Sequence, residues 1–245
     1  FGKSIPYIGM SLTYGIVMGL ASSAGSLIPL FQIEGAASTP AFPYIIAGVS
    51  VMLVGVVITA IAGVMRDKQS KENKVKNIKL GLAIAITSGV LSALLNVGFA
   101  NAAPVAEEAV SQGVIVRNSS LAAWVVVLIG AYIMNAGYAV ILLVKNKSWN
   151  SFSVAGSGKA YMWAIVAGLF WFAALGVYGQ GAALMGELGP VIGWPILLGL
   201  SLIVGNIWAY RNKEWTGARK AFIWLLVGLA VLIVATIILG YANGV

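Results

Sequence analysis

The chain has 245 residues, 60% of them hydrophobic and only 9% charged, with a mean hydropathy of +0.95, a mixture that excludes an ordinary water-soluble domain. A net charge of +8 would suggest nucleic acid in a soluble protein, but here the basic residues sit in short segments between apolar blocks, where they report orientation across a bilayer. The absence of Cys and His excludes a disulfide frame, a thiolate metal site and imidazole chemistry, and with them the enzyme readings that need those groups; no cofactor and no metal site are expected.

The apolar residues come in blocks of roughly 20 or more, the length a helix needs to cross about 30 Å of hydrocarbon. Lipid tolerates no unpaired backbone, so each block is predicted to be a helix. In chain order the seven predicted spans are 8–32, 43–65, 78–100, 120–144, 160–182, 188–210 and 220–241. Three charged stretches separate them: RDKQSKENKVKNIK at 66–79, KNKSWNSFSVAGSGK at 145–159 and RNKEWTGARK at 211–220. With Lys3, these stretches put 14 of the 15 basic residues on one face, leaving Arg117 alone opposite. The positive-inside rule assigns that basic face to the cytoplasm.

A displacement of 180 residues superimposes part of the chain on itself. It sets 8–29 on 188–209, pairing Gly9 with Gly189, Ile16 with Ile196, Gly19 with Gly199, Leu20 with Leu200 and Gly25 with Gly205. The same register sets 41–61 on 221–241, pairing Ala41, Phe42, Gly48, Val51, Val54 and Ile58 with identical residues. Eleven of these 43 positions are identical, where chance in so biased a composition gives roughly 3 or 4. The connection FQIEGAASTP at 31–40 carries no Lys or Arg and its counterpart at 211–220 carries four, so the equivalent segments are expected on opposite sides. That pattern predicts an inverted repeat with an odd number of spans per unit. The expected parent is a ten-span, five-plus-five transporter with three further spans before Phe1. Residues 1–65 are then the end of the first repeat with its last two spans, 66–77 a basic cytoplasmic linker, and 78–245 the second five-span repeat.

Four stretches, YIGMSLTYGIVMG (7–19), KLGLAIAITSGVLSA (79–93), NAAPVAEEA (101–109) and NKEWTGARK (212–220), resemble the L-rhamnose-proton symporter family of the drug/metabolite transporter superfamily. They stand in that family's order, and the likeness extends over the whole chain. Most of their residues are Gly and small helix-face residues, which speak more for fold than for substrate. The resemblance implies uptake of L-rhamnose or a similar neutral monosaccharide with protons, by a multi-pass protein of the bacterial inner membrane. Residues 170–189 depart from the family pattern in lacking a polar, His-containing run.

Inside the spans Asp, Glu, Lys and Arg occur only at the edges, as expected when a central charge costs about 2.5–3.5 kcal/mol. An uncharged substrate is therefore expected, held by amides, hydroxyls and flat aromatic faces. Ser88, Ser92 and Asn96 recur at i, i+4, i+8 and form a polar stripe; Trp171, Tyr178 and Gln180 supply aromatic and amide groups near the next-but-one span's exit. Tyr14 and Trp194 fall opposite each other in the repeat and are candidates for paired gates or cavity walls. The competing readings are helix packing through small residues for the serines, an interhelical bridge for Asn96, and packing or an interfacial aromatic belt for the rings. Proton coupling without His falls to carboxylates. Glu107 matches the acidic position of the NAA-P-x-x-E run and Glu187 opens a span, where capping by the helix dipole is the alternative; Glu108 and Glu34 are further candidates.

The expected partners are the lipid bilayer, a small sugar and protons, with no nucleic acid; the oligomeric state is not legible. Within transport, a facilitator or metabolite exporter of the same superfamily competes. A structural membrane subunit would leave the polar stripe and the repeat without a purpose, and an intramembrane enzyme would need a carboxylate pair, a HExxH or a Ser with a base, none of which the spans contain.

Overall fold

The computed structural model describes residues 1–68 and 77–245, and most of the basic linker expected at 66–77 lies outside the described residues. Among the described residues all regular structure is helical. The helices are α1 (Ile5–Ile8), α2 (Met10–Gln32), α3 (Ala41–Asp67), α4 (Ile78–Asn101), α5 (Ala103–Ser111), α6 (Val116–Asn146), α7 (Ser157–Leu184), α8 (Gly189–Arg211) and α9 (Arg219–Ala242). Among the described residues seven helical segments are long and apolar enough to cross a bilayer, in the order the sequence predicts.

Two boundaries differ from expectation for local reasons. The first predicted span begins past a break, because Gly9 takes φ 82° and separates α1 from α2. Between the third and fourth predicted spans the NAAPVAEEA run adds a helix of its own: Pro104 sits in the first turn of α5, after Ala102 leaves the helical region. Proline suits that position because its missing N–H would have no intrahelical partner there.

The chain forms two compact units, Phe1–Ala100 with Glu187–Val245, and Asn101–Gly186. In the first, α3 and α9 pack antiparallel along their whole length: Gly48 lies against Leu239, Gly55 against Leu232, and Gly228 against Thr59. A Cβ added at any of the three glycines would fall 2.6–2.8 Å from its neighbour, so the backbones approach as closely as small residues permit. α2 packs on α3 and, also antiparallel, on α8. α4 runs parallel to α2, with Gly81 against Ile8 and Gly89 against Leu20. The buried core between these helices is Leu30, Ile45, Val49, Met52, Val56, Val191, Ile192, Leu202, Leu232 and Leu239 with their neighbours.

The second unit is a helical hairpin of α6 and α7 with α5 against α6. Trp124 is fully buried there, its ring centroid 6.1 Å from that of Tyr178. Gly179 makes room for it, since a Cβ at that position would fall 2.6 Å from the indole nitrogen.

At one end of the first unit polar side chains tie the helices together. Ser11 of α2 donates to Asp67 of α3 at 2.7 Å, Arg66 pairs with Asp67 at 3.1 Å and with Glu214 at 3.2 Å, and the Arg66 guanidinium lies 4.8 Å from the centre of the Trp215 ring.

Candidate functional site

The polar heart of the first unit is built around two prolines inside helices. Pro29 in α2 has no N–H for the carbonyl of Gly25, and Pro195 in α8 has none for the carbonyl of Val191. In a bilayer such freed carbonyls must find donors from neighbouring helices. They do. The Asn96 amide nitrogen of α4 donates to Gly25 O at 2.8 Å, and the Ser26 hydroxyl of α2 donates to Val191 O at 2.6 Å.

The same Asn96 nitrogen donates to Pro190 O at 2.9 Å, so one buried amide binds α4 to both α2 and α8. Trp194 completes the junction: its indole N–H donates to Ala21 O at 2.9 Å, and its ring lies where a side chain at residue 25 would be. Gly25 is therefore required by close approach, with a Cβ there only 2.5 Å from the indole nitrogen. Beside the junction in α2 the Ser22 hydroxyl is buried without a hydrogen-bond partner, and so, more than two turns earlier, is that of Thr13.

Among the residues singled out from sequence, Asn96, Ser92, Tyr14 and Trp194 lie in this first unit. Asn96 and Trp194 are buried and engaged at the junction. Ser92 is half-buried and its hydroxyl turns back to Ser88 O at 2.7 Å, satisfied within its own helix. Tyr14 is half-buried against the core, edge-on to Phe1. Tyr14 and Trp194 thus occupy repeat-equivalent positions with different environments, the indole buried in a helix crossing and the phenol at a margin.

The second unit carries Trp171, Tyr178 and Gln180. Tyr178 is buried beside Trp124, and the Gln180 amide donates to the Asn118 side-chain oxygen at 3.0 Å, linking α7 to α6. Trp171 is 54% exposed. Glu107 and Glu108 are exposed on α5, where Gln112 donates to Glu108 at 2.8 Å; Glu187 is exposed in the short turn before α8, and Glu34 is exposed between α2 and α3.

Sequence reasoning passed over Ser26 as a polar contact and Trp124 altogether. A signal for the first was present: a proline within an apolar block frees the carbonyl four residues earlier, which points to Gly25 and Val191 and asks for a donor across the helix pair. Nothing comparable marks Trp124. The amide, hydroxyl and indole donors of this junction are spent on main-chain carbonyls of neighbouring helices, and every buried polar side chain among the described residues is neutral. No group of three or more His, Cys, Asp or Glu is placed to hold a metal among the described residues.

The family model described as "L-rhamnose-proton symport protein" matches residues 1–244. The L-rhamnose-proton symporter of Yersinia pestis (strain Pestoides F) is 29% identical over 253 residues, covering 98% of this chain and 73% of that protein. The L-rhamnose-proton symporter of Escherichia coli O9:H4 (strain HS) is 30% identical over 250 residues, with the same coverage. No solved structure matches the chain.

Proposed function

The chain belongs to the L-rhamnose-proton symport protein family, and on that premise we infer that it is a multi-pass secondary transporter that imports L-rhamnose or a similar neutral monosaccharide with protons. The observation that carries this reading is the match along residues 1–244, together with relatives of that name covering 98% of the chain. An uncharged cargo accords with the first unit, whose buried polar side chains carry no charge. Enterobacterial relatives support the bacterial inner membrane as its location.

Within this reading Asn96, Trp194, Tyr14 and Ser92 are proposed as sugar contacts, Trp171, Tyr178 and Gln180 are likewise proposed on their own helix α7, and Glu107 and Glu187 are proposed to carry the coupled proton. Both carboxylates are exposed, Glu107 on α5 and Glu187 just before α8. Cells expressing the complete transporter are expected to accumulate labelled L-rhamnose, and to lose that accumulation when an uncoupler collapses the proton gradient. Uptake that equilibrates but never accumulates would make it a facilitator.

The spans are further proposed to form an inverted repeat in which α2–α3 and α8–α9 are equivalent. The full architecture is then ten spans in two five-span halves, with residues 1–65 closing the first half, 66–77 linking and 78–245 forming the second. Packing supports this. Under the 180-residue offset Gly48 corresponds to Gly228 and Thr59 to Leu239, so the contact of Gly48 with Leu239 becomes that of Gly228 with Thr59, which α3 and α9 also make. Single cysteines at Ala37 and Thr216, in an otherwise cysteine-free chain, are expected to react with membrane-impermeant thiol reagents from opposite sides. Labelling of both from one side would reject the inversion.

A further inference from the structure

The loop joining α8 to α9 builds a cavity that the transport reading does not use. It is open on one side, has a volume of about 620 Å³, and its lining includes Tyr210, Arg211, Lys213, Trp215, Arg219 and Phe222. Three of these residues are cations and none is an acid. Glu214, the acidic residue of this loop, is turned to Arg66 instead, and no carboxylate among the described residues pairs with Arg211, Lys213 or Arg219.

The rest of the wall is aromatic. Tyr210 and Phe222 stack with centroids 5.2 Å apart, and Trp215 tilts against Phe222 at 6.1 Å. Trp215 is 6% exposed and its indole N–H has no acceptor. Behind the cavity α9 begins at Arg219, with Ala218 at its N-cap and no side chain capping the first turn; the free N–H groups and helix dipole at such an end favour an anion. The cavity therefore stands between the last residues of one apolar span and the first of the next.

We propose that this cavity binds the phosphate-bearing head group of an anionic phospholipid, with Arg211, Lys213 and Arg219 holding the phosphate and the Tyr210, Trp215 and Phe222 rings taking the glycerol and first acyl carbons. Cations with no acid among them select negative charge, and the aromatic wall selects an amphiphile over a bare ion. With the basic connections on the cytoplasmic face the lipid belongs to the cytoplasmic leaflet, though binding itself does not depend on that orientation.

The purified full chain in neutral detergent provides the test, with bound lipid counted by native mass spectrometry. Phosphatidylglycerol is expected to bind in preference to phosphatidylcholine. R219Q is expected to weaken it about fivefold, and R211Q/K213Q/R219Q further by a similar factor for each charge removed. K145Q/K147Q/K159Q, which removes as many charges elsewhere, is expected to leave it unchanged. Thermal unfolding in phosphatidylcholine reports the fold of each variant, and R219Q decides if the triple variant does not fold. The proposal is overturned if phosphatidylglycerol has no advantage over phosphatidylcholine, or if the distant triple variant loses as much. It is equally overturned if inorganic phosphate at the same concentration displaces the lipid, which would make this a site for the free anion.

Discussion

Asn96→Ala is expected to destabilise the folded chain by about 2 kcal/mol in detergent solution, read as a lower midpoint of thermal unfolding. Its amide nitrogen serves two backbone carbonyls, Gly25 O and Pro190 O, on two different helices. The Gly25 carbonyl cannot return to its own helix, because residue 29 is a proline. Hydrogen bonds between membrane helices average about 0.6 kcal/mol and reach roughly 1.7, so two of them plus the void left by a fully buried side chain set the estimate. Ser92→Ala provides the contrast. That hydroxyl bonds only to its own helix, and its loss is expected to change stability by less than about 0.5 kcal/mol. An Asn96→Ala chain as stable as Ser92→Ala would show that the three-helix junction does not hold the fold.

The second large effect is expected at the α3/α9 crossing. A Cβ at Gly228 would fall 2.6 Å from Thr59 Cγ2 and 3.0 Å from the Thr59 backbone nitrogen. A methyl can rotate away and a backbone cannot, so Gly228→Ala forces the two helices apart. Overpacking of this kind costs about 1–3 kcal/mol, against a gain of about 1 kcal/mol from better helix propensity. The net expectation is a loss of up to about 2 kcal/mol. Gly130→Ala in α6, where nothing lies within 4 Å, keeps the gain without the clash and is expected to be neutral or stabilising. Thr59→Ser removes the nearer obstacle and is expected to restore part of the loss in the Gly228→Ala chain. Equal stability of the Gly228 and Gly130 variants would mean that α3 and α9 are not packed this closely.

The spans were legible because lipid gives a chain few choices: an apolar block of the right length is a helix. The 180-residue self-similarity was legible too, and the reciprocal contacts of Gly48 and Gly228 lie on positions it pairs. Much less legible was which face of each helix turns inward. In water an apolar stripe marks the buried side, but in a bilayer both sides are apolar and the stripe disappears. Trp171 illustrates the loss: it is 54% exposed on α7, and the apolar residues around it in sequence do not mark which side of the helix it takes. Asn96 illustrates what survives, because an amide inside an apolar block must reach a partner wherever the helix turns. Its two backbone carbonyl acceptors could not be read, being set by a proline on one helix and the position of another.

The prolines of α2 and α8 have a mechanical consequence. A helix bends at some cost because its ladder of main-chain bonds must stretch, yet at Gly25 and Val191 that rung is already absent. Each helix has a point about which its two ends can swing with no main-chain bond broken. What holds the swing in check is a handful of contacts from Asn96, Ser26 and Trp194, on the order of 1 kcal/mol apiece, so thermal motion at ordinary temperature suffices to loosen them one at a time.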